Sequence, residues 1–153
     1  MPDSKKFEPV HIDLSTVGEI SKIMGFHIRL AHGAVYRHFM ETFADLGMTQ
    51  KQVSVLWLIG DNPGVAQTDL AQRLRMDRAT TMGIVNRLEA RHYLRRGVSG
   101  GDRRRKTLAL TPAGHAILKK AREAIWEHER WLKSRFTPQE VATLMELLER
   151  IHE

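Results

Sequence analysis

The sequence predicts a mainly α-helical fold carrying a single two-stranded β-hairpin. Three observations carry this expectation. Apolar residues recur at helical spacing through most of the chain. Thr49, Asp77, Thr111 with Pro112, and Thr137 with Pro138 have the form of helix starts, a capping side chain or a cap followed by proline in the first turn. Only the surroundings of GVSGGD, residues 97–102, combine strand-like residues with glycines that favour a tight reversal.

Residues 1 to about 14 contain Pro2, Pro9 and mixed charge without periodicity, and read as an arm that packs only on something else. From Ser15 or Thr16 to about Leu46, Ile20, Ile23, His27, Leu30, Ala31, Ala34 and Val35 predict one long helix ending near Gly47. Thr49 caps a second helix, TQKQVSVLWLIG, which Asn62, Pro63 and Gly64 stop. QTDLAQRLRM places Leu70, Ala71 and Leu74 on one face of a short third helix. Asp77 caps a fourth, starting at Arg78, with Met82, Val85, Leu88 and the adjoining Ile84 expected on its buried face.

Two short helices a few residues apart form a helix-turn-helix pattern, and residues 93–96 and 106–110 form a hairpin wing beside it. A fifth helix runs through Ile117, Leu118, Ala121, Ile125, His128 and Leu132. The sixth carries Val141, Leu144, Leu147, Leu148 and Ile151 as an apolar stripe. The expected fold is thus a winged helix-turn-helix with a helical dimerisation region. The first helix and the last two expose more apolar stripe than a small winged domain covers, which points to a homodimer.

Charge is concentrated in the wing. Between Arg95 and Lys106 six basic residues face one acid, so this segment holds +5 of a formal net charge of +6. A local basic field suits a polyanionic partner, with nucleic acid ahead of an anionic membrane surface. There is no cysteine, hence no disulfide, thiolate zinc site or thiol redox sensor. No run of about 18 apolar residues exists, and the start MPDSKKFEP lacks the apolar core of a signal peptide, so a cytoplasmic protein is expected.

DLAQRL, TTMGIVNRLEARHYLRR, DRRRKTLALT and LTPAG, in this order and spacing, resemble the MarR family of winged helix-turn-helix transcription regulators. The resemblance covers the chain apart from the N-terminal arm. It implies one domain over 1–153, with a DNA-binding lobe at 48–111 and a dimerisation lobe built from 15–47 and 112–153. One departure is His92, in LEARHYL, where many members have glycine. The same left-handed turn is expected there at some conformational cost.

An α-helix fits the major groove, and Arg78, Thr80 and Thr81 at the start of the fourth helix are placed to reach base edges. The bland alternative is a solvated helix start with Thr80 acting as a local cap. Arg87, further along, suits a phosphate. Gln67, Thr68 and Arg73 on the preceding helix are further phosphate candidates. In the wing, the resemblance implies that Asp102 steadies the loop through a neighbouring arginine and that an arginine enters the minor groove. Arg104 best matches that position, with Arg103 beside it and Arg105 as a phosphate contact. Two-fold symmetry would set the recognition helices about one turn of DNA (~34 Å) apart on a pseudo-palindromic operator.

The resemblance further implies a small-molecule effector, commonly an aromatic acid, a phenol or a related thioester, whose binding loosens DNA contact. Arg29, His32 and Tyr36 share a face of the first helix, with His27 nearby, and Trp57 on the second helix could close a pocket for a phenolic carboxylate. Trp57 as a core residue and a mutually satisfied His–Tyr pair are the plain alternatives. No cofactor or metal site is expected: His32 and His38 do not share a helical face and no local cluster supplies three ligands. Protonation of interfacial histidines could make DNA affinity depend on pH. No nucleophile elbow, phosphate-binding glycine loop or zinc motif favours an enzyme. A nonspecific architectural DNA binder and a ligand-dependent activator remain alternatives to a repressor.

Overall fold

A computed structural model of the chain describes residues 12–101 and 104–152. Among these, the helices are α1 (Met24–Thr42), α2 (Gln50–Asp61), α3 (Gln67–Arg73), α4 (Arg78–Ala90), α5 (Pro112–Lys133) and α6 (Pro138–His152). The strands are β1 (Val65–Ala66), β2 (Leu94–Val98) and β3 (Lys106–Leu110). Internal packing divides the chain into two compact units, residues 1–36 and 37–153.

In the first unit the single long helix expected from Ser15 is broken. Two 3-10 turns, Leu14–Thr16 and Gly18–Lys22, precede α1. Gly18 takes a left-handed φ of +78°, and Ile23 is extended at φ −91°, ψ 117°, so the α-helical hydrogen-bond ladder can begin only at Met24. None of the described residues of this unit is buried. The far end of α1 behaves as expected: a further 3-10 turn, Ala44–Leu46, ends on Gly47 in the left-handed region.

The second unit holds the core, with Phe43, Val55, Leu56, Ile59, Leu70, Val85, Leu88 and Leu108 all at or near zero exposure. α2 runs through its middle and packs against α4, α5 and β3. Its start is a full capping box: the Gln52 amide N–H donates to Thr49 Oγ1 at 3.2 Å, and the Thr49 N–H donates to Gln52 Oε1 at 3.0 Å. The hairpin is longer than expected on its first strand and is joined by β1, so the sheet has three antiparallel strands in the order β1-β3-β2. Leu108 of β3 stands opposite Val65 on one side and Arg96 on the other.

The exit from the wing is fixed by Thr111 and Gly114. Thr111 Oγ1 accepts from the Gly114 N–H at 3.0 Å and donates to the His92 carbonyl at 2.6 Å. A Cβ on Gly114 would stand 1.8 Å from the Tyr93 carbonyl oxygen, so only glycine lets α5 start this close to the strand. His92 itself adopts φ +61°, the left-handed turn expected of it. Through this clamp α5 buries Leu118 and Ala121 in the core. Residues 37–47, α5 and α6 group with the winged elements in the second unit. α6 opens with a second capping box, Thr137 with Glu140, and none of its described residues is buried.

Candidate nucleic-acid interface

The interface is built on the start of α4. Asp77 is its N-cap, accepting from the Thr80 N–H at 2.8 Å and the Thr80 hydroxyl at 2.6 Å. These two bonds, the side-chain one foremost, hold the Asp77 carboxyl below its ordinary pKa. The cap sets the rotational phase of the helix, and its buried line is Thr81, Ile84, Val85 and Leu88, at i, i+3, i+4 and i+7.

That phase corrects two sequence expectations. Thr81 is 1 % exposed, and its hydroxyl donates to the Asp77 carbonyl at 2.9 Å, so it is a core residue and not a base contact. Met82, expected in the core, is 47 % exposed. One residue of helix is about 100° of rotation, enough to exchange the two. The face turned to solvent carries Arg78, Ala79, Met82, Asn86 and Arg87, with half-buried Gly83 among them. Thr80 is half-buried and serves the cap, the plain alternative considered for it. A Cβ on Gly83 would meet nothing within 4 Å, so no neighbour in the fold requires glycine there.

Of the phosphate candidates, Arg73 and Arg105 line one open groove between the α2–β1 loop, α3 and the wing. Arg73 donates to Asn62 Oδ1 at 3.1 Å, and Arg105 pairs with Asp69 at 2.6 Å. Thr68 is exposed, its hydroxyl turned toward Asp69 Oδ1 at 3.5 Å, and Arg87 is exposed on α4. Gln67 bridges α4 and the wing instead, its Nε2 lying 3.2 Å from Met82 Sδ and its Oε1 accepting from Arg96. Arg104 is exposed at the wing tip. Asp102 and Arg103 lie outside the described residues.

The effector candidates fall in both units. In the first, the His32 and Tyr36 rings stack with centroids 6.4 Å apart, whereas Arg29 lies over Phe26 at 5.3 Å and His27 Nε2 is 2.6 Å from the Ser21 carbonyl. In the second, Trp57 is half-buried beneath Arg122, at 4.9 Å, with Trp126 edge-on at 6.2 Å. Sequence reasoning missed a polar contact in the core of this unit. His38 Nδ1 and His128 Nδ1 are 2.8 Å apart, and Trp131 stacks on His38 at 3.9 Å. Burial pushes the pKa of both histidines down, and for His128 the charge of His38 adds to the effect. Ninety residues separate the two, and no local pattern announces the pairing.

Residues 46–105 match the profile of the MarR family. A putative transcriptional regulatory protein for the hcr operon of Thauera aromatica is 32 % identical over 148 residues, spanning 95 % of this chain and 89 % of that protein. The chain belongs to the MarR family. The structure of the transcriptional repressor CouR bound to a 23-mer DNA duplex superposes with a TM-score of 0.84 at 31 % identity, covering 90 % of this chain and 97 % of that one. BpsR of Bordetella bronchiseptica, whose DNA binding is regulated by 6-hydroxynicotinic acid, superposes with a TM-score of 0.81 at 26 % identity over 87 % of this chain and 95 % of that one. The fold is the MarR winged helix, and all the DNA candidates from Gln67 to Arg105 lie inside the matched span, as does Trp57. His27, Arg29, His32 and Tyr36 lie before it. Among the described residues no helix is long and apolar enough to cross a membrane.

Proposed function

We propose that this MarR-family chain is a cytoplasmic, non-enzymatic, homodimeric regulator that binds a pseudo-palindromic operator and represses transcription until a small aromatic acid releases it. The observation that carries the reading is the exposed face of α4: a capped helix presenting Arg78, Ala79, Met82, Gly83 and Asn86 beside a basic wing. Such a helix enters the major groove with its first turns against base edges, while the wing follows the backbone into the minor groove. Similarity to CouR, a repressor with DNA bound, supports the same reading.

Dimerisation is supported by α6, whose Leu144, Met145, Leu147, Leu148 and Ile151 are all exposed in the single chain, from 38 % to 61 %. A stripe of this size in water invites a partner, and a second copy is the simplest one. An aromatic acid is supported by the likeness to BpsR and by the stacked His32 and Tyr36. Arg29, three residues before His32 on α1, would supply the charge-assisted bond.

The test is selection of bound duplexes from a random-sequence pool, followed by titration of the selected duplex. A dimer should bind a two-fold motif. Arg104→Ala should weaken binding and reduce the slope of log affinity against log salt by about 1.8, the loss of one phosphate-level contact in each half-site. Adding 6-hydroxynicotinic acid or a related aromatic acid should release the duplex. Recovery of no motif would reject the regulator in favour of an architectural DNA binder, and binding strengthened by the acid would favour an activator.

A further inference from the structure

Arg96 joins the wing to both helices of the helix-turn-helix. It stands on β2 two residues after buried Leu94, hence on the same face of the strand, and its side chain is only 20 % exposed. Its guanidinium is used at all three nitrogens. Nε donates to Gln67 Oε1 at 3.3 Å, one terminal nitrogen donates to Glu89 Oε2, and the other donates to Asn86 Oδ1 at 2.6 Å. Gln67 opens α3, while Asn86 and Glu89 lie three residues apart on α4. Gln67 then reaches Met82 on the exposed face of α4.

Counted by sequence, Arg96 is one of the six cations of the basic segment. In the fold its charge is paired with Glu89 and its donors are engaged by Gln67, Glu89 and Asn86, which leaves it poorly disposed to meet a phosphate. A planar guanidinium can hold three acceptors in a fixed fork, whereas a lysine ammonium on a flexible stem cannot reproduce that geometry. We propose that Arg96 is a positioning residue. It locks the rotation of α4, and the side chains of Gln67 and Met82, relative to the wing, so that helix and wing meet a duplex in one register. The proposal rests on the DNA-binding reading above. A helix free to turn by a small angle would still attract phosphates but would present its side chains to the wrong base edges.

The experiment compares wild type, Arg96→Gln and Arg96→Lys as full chains, on a duplex selected by the wild-type protein and on random duplex, at several salt concentrations. Arg96→Gln should lose about tenfold or more of the preference for the selected duplex, with a salt slope unchanged, and Arg96→Lys should not restore it. A slope reduced by about 1.8, one contact from each protomer, would make Arg96 a phosphate contact. An unchanged preference, or full rescue by lysine, would also overturn the proposal. If Arg96→Gln does not fold by circular dichroism, Glu89→Gln breaks the same knot from the helix side and carries the same expectation and the same contrary results. Amide exchange of the DNA-free protein separates this from failure of the DNA reading. Exchange should quicken at the start of α3 and along the second half of α4 even if wild type selects no duplex, and unaltered exchange there would contradict the knot itself.

Discussion

The Thr81 hydroxyl donates to the Asp77 carbonyl at 2.9 Å from a side chain that is 1 % exposed. Thr81→Val keeps the shape and removes only this local bond, so stability should change by no more than about 1 kcal/mol. Base preference should not change at all. Met82→Ala on the exposed face should alter preference at one position of each half-site, which duplex selection with the two variants will compare.

Gly83 sits in the middle of α4 with open space above it. Glycine within a helix costs about 1 kcal/mol relative to alanine, and nothing inside this fold offsets that cost. If the groove floor approaches the helix here, Gly83→Ala should raise thermal stability by up to about 1 kcal/mol while weakening duplex binding about tenfold, or ~1.4 kcal/mol. Melting and binding curves moving in the same direction would remove the close approach from the account.

His92 holds a left-handed φ of +61° next to the carbonyl that Thr111 grips. A residue with a Cβ pays roughly 1–2 kcal/mol in that region, and glycine returns part of this through its larger unfolded entropy. His92→Gly should therefore stabilise the chain by about 0.5–1 kcal/mol with duplex affinity unchanged, as read by chemical denaturation.

His38 and His128 share one hydrogen bond between their Nδ1 atoms, so one ring donates and the other must be unprotonated there. Both have folded pKa values below the ordinary 6.5, through burial first. The unfolded chain then binds more protons below 6.5. The stability is fully present above that pH and is lost as pH falls through the folded values. Thermal melting from pH 8 to pH 5 should show a falling midpoint below about 6.5, and His38→Gln should flatten the curve.

What the sequence made legible was the chemistry of short range. Thr49, Asp77, Thr111 and Thr137 act on residues three positions away, and all four cap helices in the structure. The turn at His92 was legible for the same reason. β1 was not, because two residues carry no periodicity and its identity comes only from pairing with β3, some forty residues on. Thr81 and Met82 were exchanged because helical phase was read from hydrophobicity alone, whereas burial beside α2 accepts a threonine whose hydroxyl bonds its own backbone. The break before α1 turns on Gly18 and Ile23, whose dihedral angles an apolar repeat does not reveal. By sequence Arg96 is one cation of a basic segment suited to nucleic acid, and only the tertiary fold brings it to Gln67, Asn86 and Glu89.

The central claim is that α4 reads sequence, and competition measures it most directly. The duplex selected from a random pool is bound at fixed salt and challenged in turn with unlabelled selected duplex and with unlabelled random duplex. A reading helix predicts a preference of about a thousandfold or more, with two half-sites one helical turn apart. Equal displacement by either competitor would contradict it, leaving a basic wing that holds DNA without reading it.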